Sequence, residues 1–423
     1  MNILIICIFI IGYVSITLEH SIKINKAASA ILTGVICWVI IAINNNGSQD
    51  VLQPMDELSH HLSDISAILF FLLGAMTIVE LIDAHEGFDV ITKRIRTSSK
   101  RTLLWIVGFL AFFLSAMLDN LTTTIVMITL LNKLLTDKSD RWTFVSVVVI
   151  AANAGGAWSP IGDVTTTMLW IGGQITPTNI MLKLFIPSLV CLLVPLLIIS
   201  FQTKGKFERK KELEETITTS SKSRNIIFWS GLSVLLFVPF FKTITHLPPY
   251  MGMLFGLGIL WIVSEIIHKD KDEEDKQSYS VVHALRRIDV PSMIFFLGIL
   301  LCIAAIQSSG QLTQLATLLE SRIGNMNLIV LTIGLLSAIV DNVPLVAAVQ
   351  GMYDLNVYPV DHYFWEFLAY CAGTGGSVLI IGSAAGVAAM GMQKIEFFWY
   401  LKRVSLLAIL GYLAGAVTYI YFM

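Results

Sequence analysis

The chain has 423 residues, of which 55% are hydrophobic and 14% charged, with a formal net charge of −2. A soluble domain carries nearer one quarter charged residues, so this composition excludes a soluble globular enzyme. The near-neutral charge gives no sign of a nucleic-acid partner.

Apolar segments fall at roughly 2–18, 27–44, 64–83, 102–119, 121–136, 142–157, 163–173, 177–201, 225–244, 249–267, 290–308, 326–341, 342–353, 363–377, 379–392 and 397–422. Many approach the roughly 20 residues that a helix needs to cross a bilayer, which predicts an all-α, polytopic membrane protein. The first segment has no Lys or Arg before Lys23, so residues 1–20 read as a retained transmembrane helix rather than a cleaved signal. All five cysteines (Cys7, Cys37, Cys191, Cys302 and Cys371) lie in apolar runs, with neither metal-ligand spacing nor a disulfide framework.

Lys and Arg placement sets the expected orientation. Lys23 and Lys26 mark a cytoplasmic loop. Residues 45–63 carry Asp50, Asp56 and Glu57 without Lys or Arg, and are expected to form an outer loop. Lys93, Arg94, Arg96, Lys100 and Arg101 bring the chain back inside, and so do Lys133, Lys138 and Arg141. The two short segments between these basic groups then enter and leave on one side, as a re-entrant hairpin. Loop 203–224 is read as a cytoplasmic linker, and loop 268–288 is placed inside as well.

The chain writes one motif twice. Ser115-Ala116-Met117-Leu118-Asp119-Asn120 returns as Ser337-Ala338-Ile339-Val340-Asp341-Asn342. Each copy is followed by a Gly-rich break, Asn153-Ala154-Gly155-Gly156 and Gly373-Thr374-Gly375-Gly376. Paired interruptions in two halves of opposite topology point to a carrier's binding site. The expected organisation is therefore a first inverted repeat over 21–202, with its hairpin tip near 119–120, and a second over 225–423, with its tip near 341–342.

The candidate site follows from these breaks. A sodium ion wants several oxygen ligands, and interrupted helices supply free carbonyls beside charged side chains. Asp119, Asn120, Ser115 and Thr122 form one set of candidates. Asn153, Asp163, Thr165 and Thr166 join them from the break after 153. The mirror set is Asp341, Asn342, Thr374 and Ser377, with Ser383 standing where Asp163 stands in the first half. Asp and Asn also cap helices, so Asp119 and Asp163 have a purely structural reading beside the functional one. A carboxylate at membrane depth is costly, which favours function. Glu80 is a candidate coupling carboxylate with an equally plain interfacial reading. The pair His60-His61 reads as an incidental outer-loop feature.

These stretches resemble the NhaD-type sodium/proton antiporters of the ion transporter superfamily. The matching pieces are Leu118 to Met127, Ser159 to Trp170 and Ser337 to Ala348. The resemblance implies exchange of sodium or lithium for protons by alternating access, with no organic cofactor. It also implies a homodimer in which a transport region moves against a scaffold. An integral, multi-pass location in a bacterial inner membrane is expected. Asp119 and Asp341 are each expected to bind either a proton or a cation (Na+). Related carboxylate carriers place Ser-Asn-Thr at the hairpin tips, where this chain has Asp119-Asn120-Leu121 and Asp341-Asn342-Val343. A fixed anion there disfavours a dicarboxylate. An arsenite or carboxylate carrier remains the alternative. An intramembrane aspartyl protease is a weaker one, because Pro160 breaks the Gly-x-Gly-Asp pattern around Asp163. A passive channel would conduct without proton coupling.

Overall fold

A computed structural model describes residues 2–17, 19–45, 53–92, 95, 97–207, 220–269 and 277–422. Lys93, Arg94 and Arg96, used above for orientation, lie outside these residues, as do Asp50, most of the expected linker and residues 270–276 of the loop 268–288. Among the described residues the chain is helical throughout and contains no strand.

The first half runs α1 (Asn2–Thr17), α2 (Glu19–Ile22), α3 (Lys26–Asn45), α4 (Gln53–Ala84), α5 (Asp89–Thr92), α6 (Lys100–Leu118), α7 (Asn120–Leu134), α8 (Lys138–Ala157), α9 (Val164–Ile171) and α10 (Pro177–Gln202). After the linker come α11 (Ser221–Thr245), α12 (Pro249–Ile267), α13 (Val281–Arg287), α14 (Val290–Ser308), α15 (Gln311–Ile323), α16 (Met326–Leu336), α17 (Asn342–Met352), α18 (Tyr363–Gly375) and α19 (Ala384–Gln393). The last span is α20 (Phe397–Tyr400), a π-turn over Leu401–Ser405 and α21 (Leu406–Phe422). Eight helices among the described residues are long and apolar enough to cross a membrane. The protein is an all-α, polytopic membrane protein.

One expectation needs correction. Residues 53–63 are not an outer loop but the first three turns of α4, which is 32 residues long. Pro54 lies in the first turn, where its missing N–H costs nothing, and the residues after it down to Asp64 include no Gly or second Pro to stop the helix. Hydropathy missed these turns because they carry Asp56, Glu57, His60 and His61. Helix α15 escaped for a similar reason: its polar face, with Gln311, Gln314, Glu320 and Arg322, breaks the apolar run.

Packing divides into two cores. The larger one holds α6, α8, α10, α18 and α21, with Phe112, Trp170, Trp365 and Tyr412 fully buried. The smaller one joins α1, α3, the first part of α4 and α14. There α3 crosses α14 closely, and the Trp38 Nε1–H donates to the Leu301 carbonyl at 3.0 Å. Many outward side chains, among them Leu182, Phe201, Trp229, Phe240 and Ile262, are large, apolar and exposed, which suits helices bathed in lipid.

The helices at the repeated motifs are short. Helices α7, α9, α17 and α19 are 15, 8, 11 and 10 residues long, and each begins at one of the breaks. Local propensity explains the breaks. Asp119, Asp163, Asp341 and Ser383 each accept a hydrogen bond from a backbone N–H in the following first turn, as N-caps do. Glycine permits the close approach that buries these ends. A Cβ on Gly155 would fall on the Phe112 carbonyl, and one on Gly375 would fall on the carbonyl of Gly334. The two halves therefore repeat the same contact, 220 residues apart for one partner and 222 for the other (375 − 155 and 334 − 112).

Candidate cation site

The four broken ends meet around Asp163. Its side chain is buried, 1% exposed, although it belongs to a carboxylate. Its Oδ1 accepts from the Thr165 N–H and the Thr165 hydroxyl, both at 2.8 Å. Its Oδ2 accepts from Asn120 Nδ2 at 2.7 Å. Asn342 Nδ2 lies at 3.3 Å from Oδ2 and 3.4 Å from Oδ1. Thus the first residues of α7 and α17 each direct one amide at a single carboxylate.

Asn153 is the second hub. Its Oδ1 accepts from Asn120 Nδ2 at 3.1 Å, and its Nδ2 donates to the hydroxyls of Ser377 and Ser383, each at 2.9 Å. This one fully buried side chain ties α8 to the starts of α7 and α19 and to the break after α18. Asn153→Ala is expected to lower stability by about 2 kcal/mol, because at least one buried polar group loses its partner. Thermal unfolding of purified protein in nanodiscs checks this.

Asp119 and Asp341 flank the centre rather than form it. Both are half-buried. Asp119 accepts from the N–H and hydroxyl of Thr122 at 2.7 and 2.8 Å, while Asp341 accepts from the Val343 N–H at 3.2 Å. Both carboxylates are close enough to act on Asp163 through space. Asp119 also has φ 114°, a backbone region that side chains rarely enter, so the break is held under strain.

The remaining candidates divide. Thr165 binds Asp163 directly, and Thr166 donates to the Asp163 backbone carbonyl at 2.9 Å. Ser377 and Ser383 reach the cluster through Asn153. Ser115 instead donates to the Ala152 carbonyl at 2.6 Å, pinning α6 to α8 behind the site. Thr374 donates to Tyr370 O at 2.6 Å within its own helix. Glu80 does not join them: it pairs with Arg287 at 2.8 Å, beside Asp83, at the end of α4.

Three groups went unnoticed in the sequence. Glu366 is buried, and accepts from Asn179 and, at 2.6 Å, from the Tyr419 hydroxyl, bridging α10, α18 and α21. His85 and His268 form a buried pair. Tyr13 of α1 lies against Asp341, so the N-terminal helix touches the start of α17. None of these belongs to a repeated motif, which is why motif reading passed over them.

Chemically, the centre offers one buried carboxylate, three amides and several hydroxyls. Among the described residues no Lys or Arg pairs with Asp163. A buried carboxylate without a protein cation calls for a proton or a small cation to neutralise it. An amide can present either face, so the Asn120 and Asn342 side chains can donate to the bare carboxylate or turn their oxygens to a cation.

Comparison with known proteins identifies the family. Residues 3–366 match the family described as citrate transporters. The chain is 50% identical to sodium/proton antiporter 1 of Arabidopsis thaliana over 98% of its own length and 71% of that protein. It is 47% identical to sodium/proton antiporter 2 of the same plant, covering 98% of each. It is 32% identical to the Na(+)/H(+) antiporter NhaD of Vibrio cholerae, over 98% of this chain and 90% of that one. With a matched family that covers most of its length and relatives that match nearly end to end, the chain belongs to the citrate-transporter family and, within it, to the NhaD-type members of the ion transporter superfamily.

Proposed function

We propose that the protein exchanges sodium or lithium for protons across its membrane, with Asp163 as the carboxylate for which the two cations compete. The single observation that carries this reading is the buried Asp163, met by one amide from each hairpin tip and by no protein cation among the described residues. The names of the relatives supply the substrates. One carboxylate that holds either a proton or a metal cation makes the two fluxes opposite without further machinery.

This revises the weight given to Asp119 and Asp341. They sit at the rim and act on Asp163 through space, so we assign them to drawing in and retaining the cation. Asn120, Asn153, Asn342, Thr165, Ser377 and Ser383 complete the polar shell. Alternating access follows from two inverted halves, a reading supported by the matched glycine contacts and the matched caps. A homodimer is proposed on resemblance, and mass measurement in nanodiscs tests it. A bacterial inner membrane stays a proposal too, since the relatives come from both plants and bacteria.

The carboxylate carrier is the second reading, favoured by the name of the matched family. Four helix N-termini converge here, and N-termini attract anions. In this chain, however, three of the four are capped by aspartates, which already fill that positive potential. Proteoliposomes holding a pH dye separate the two. Sodium or lithium added against an imposed pH gradient is expected to move protons, whereas potassium and citrate are expected to do nothing. Citrate uptake without cation–proton exchange would move the chain to the carboxylate branch.

A further inference from the structure

The four short helices that begin around Asp163 are also tied in pairs at their far ends. Gln350 lies in the last turn of α17, and Gln174 lies just beyond α9. Gln350 Nε2 donates to Gln174 Oε1 at 2.9 Å and to the Met168 carbonyl of α9 at 3.3 Å. That carbonyl can only accept, which fixes the orientation of the Gln350 amide. Gly172 leaves the room: a Cβ there would fall on Gln174 Oε1 and lie 2.8 Å from Gln350 Nε2. In the other pair, Asn132 lies in the last turn of α7, and Gln393 ends α19. Gln393 Nε2 donates to Asn132 Oδ1 at 2.8 Å.

The two ties are one arrangement written twice. Asn132 and Gln350 each stand two residues before the end of their helix, 218 residues apart (350 − 132). Gln174 and Gln393 stand 219 residues apart (393 − 174). The backbone support matches as well. The Gln174 carbonyl accepts from the Asp361 N–H at 2.9 Å, and the Gln393 carbonyl accepts from Trp142 Nε1 at 3.0 Å. Each glutamine is thus held, at its side chain and at its backbone, by the opposite half of the chain. Either pair alone would be an ordinary satisfied polar contact near a helix end, and the repetition sets them apart.

Their place on the helices gives them a use. Helices α9, α17 and α19 have 8, 11 and 10 residues, too few to hold a direction unaided. A helix fixed at one end can swing, and a second fixed point sets its axis. The swing is felt at the near end. Asp163 caps α9, and Asn342, the first residue of α17, reaches that carboxylate at 3.3 and 3.4 Å. Asn120, the first residue of α7, reaches it at 2.7 Å, while Ser383, the cap of α19, is held by Asn153. The lever is short: 8 residues of helix separate Asn342 from Gln350 (350 − 342), about 12 Å, and 12 separate Asn120 from Asn132 (132 − 120), about 18 Å.

We propose that the Gln174–Gln350 and Asn132–Gln393 pairs are positioning clasps that lock α9 to α17 and α7 to α19, and so set the reach of Asn342 and Asn120 to Asp163. The clasps touch no cation and act through the helices. Their effect on transport rests on Asp163 as the exchanging carboxylate, whereas the clasping itself does not. Releasing a clasp lowers the affinity for the cation. It leaves the maximal rate nearly unchanged, because a saturating cation draws the amide oxygens back into place.

The test follows sodium-driven proton movement in dye-loaded proteoliposomes for Gln350→Met, Gln174→Met and the double variant, and for Asn132→Leu, Gln393→Met and their double. These substitutions keep the bulk and remove the hydrogen bonds. Each single variant is expected to raise the sodium concentration for half-maximal exchange by about fivefold, the size of one neutral hydrogen bond. The maximal rate should stay within about twofold, and each double variant should be no worse than its singles, since the second partner has nothing left to hold. Asn132→Gln combined with Gln393→Asn keeps an amide pair of the same total length and is expected to restore the sodium dependence. If Gln350→Met fails to fold, Gln350→Asn shortens the same arm with the amide kept and gives the same reading. Unchanged sodium dependence in the single variants, or effects that add within a pair, would overturn the clasps. Hydrogen–deuterium exchange in nanodiscs is the readout independent of transport: peptides over 164–174 and 342–352 are expected to lose protection in Gln350→Met. If wild type drives no cation–proton exchange while these peptides loosen, the antiport reading falls and the clasps stand. If wild type exchanges and the peptides stay equally protected, the clasps fall and the antiport reading stands.

Discussion

Asp163→Asn is expected to reduce sodium- and lithium-driven proton movement to background. The substitution keeps the shape of the side chain and replaces the charge by an amide. Its Oδ1 can still take the Thr165 N–H, so the cap on α9 survives. Its Nδ2, however, would face the Asn120 and Asn342 amides, which now donate to Asp163 Oδ2. Rotation of one of them restores a satisfied network, so the stability change is expected to stay near about 1 kcal/mol. What cannot be restored is a group that binds a proton in one state and a cation in the other. Loss of exchange with an unchanged unfolding midpoint is therefore the signature of a transport carboxylate, and joint loss of both would mark a structural cap. Asp119→Asn and Asp341→Asn should behave differently. Each removes one rim charge, and the sodium concentration for half-maximal exchange should rise by about tenfold, which corresponds to about 1.4 kcal/mol of lost attraction. Sodium titrations of dye-loaded proteoliposomes, run on the three variants side by side, rank the carboxylates. A rim variant that is as dead as Asp163→Asn would return the shared site to the hairpin tips.

Much of this arrangement was legible in the chain itself. The repeated Ser-Ala-x-x-Asp-Asn and the glycine breaks located all four interruptions, because a costly carboxylate beside helix-breaking residues leaves few structural solutions in a membrane. The substitution of Ser383 for Asp163 was legible too, and it is the difference that leaves the centre with one buried carboxylate instead of two. The proposed ranking of the aspartates was not: it rests on exposure, 1% at Asp163 against half-buried Asp119 and Asp341, and exposure depends on how α7, α9 and α17 cross, which no spacing within one segment encodes. Asn153 looked like one oxygen donor among several, yet its amide is the hub that links Asn120 of the first half to Ser377 and Ser383 of the second. The long-range polar pairs escaped altogether. His85 meets His268 across 183 residues, and Tyr419 meets Glu366 across 53. Each partner alone reads as an ordinary polar residue near a helix end.

Gly375→Ala is expected to damage folding more than any single polar change at the site. Gly375 ends α18, where its Cα faces the backbone of α16 directly. An added Cβ would fall on the Gly334 carbonyl oxygen and lie 2.7 Å from both the Gly334 carbonyl carbon and the Ser337 hydroxyl oxygen. Two of these three atoms are backbone, so no side-chain rotation makes room; α16 and α18 must move apart. Overpacking of this kind costs about 1–3 kcal/mol where a core can adjust, and a backbone obstacle puts this site at the upper end. The displacement also reaches the chemistry, because Ser337 and Gly376 flank the route to Ser377 and the second hairpin tip. Gly155→Ala meets the Phe112 carbonyl in the same way, and should give a loss of similar size in the first half. Gly391→Ala is the control: nothing lies within 4 Å of its added Cβ, and α19 should gain slightly from alanine. Unfolding midpoints in nanodiscs test all three. A Gly375→Ala protein as stable as wild type would show that α16 and α18 can separate freely, and the close packing of α18 on α16 would then carry none of the stability assigned to it.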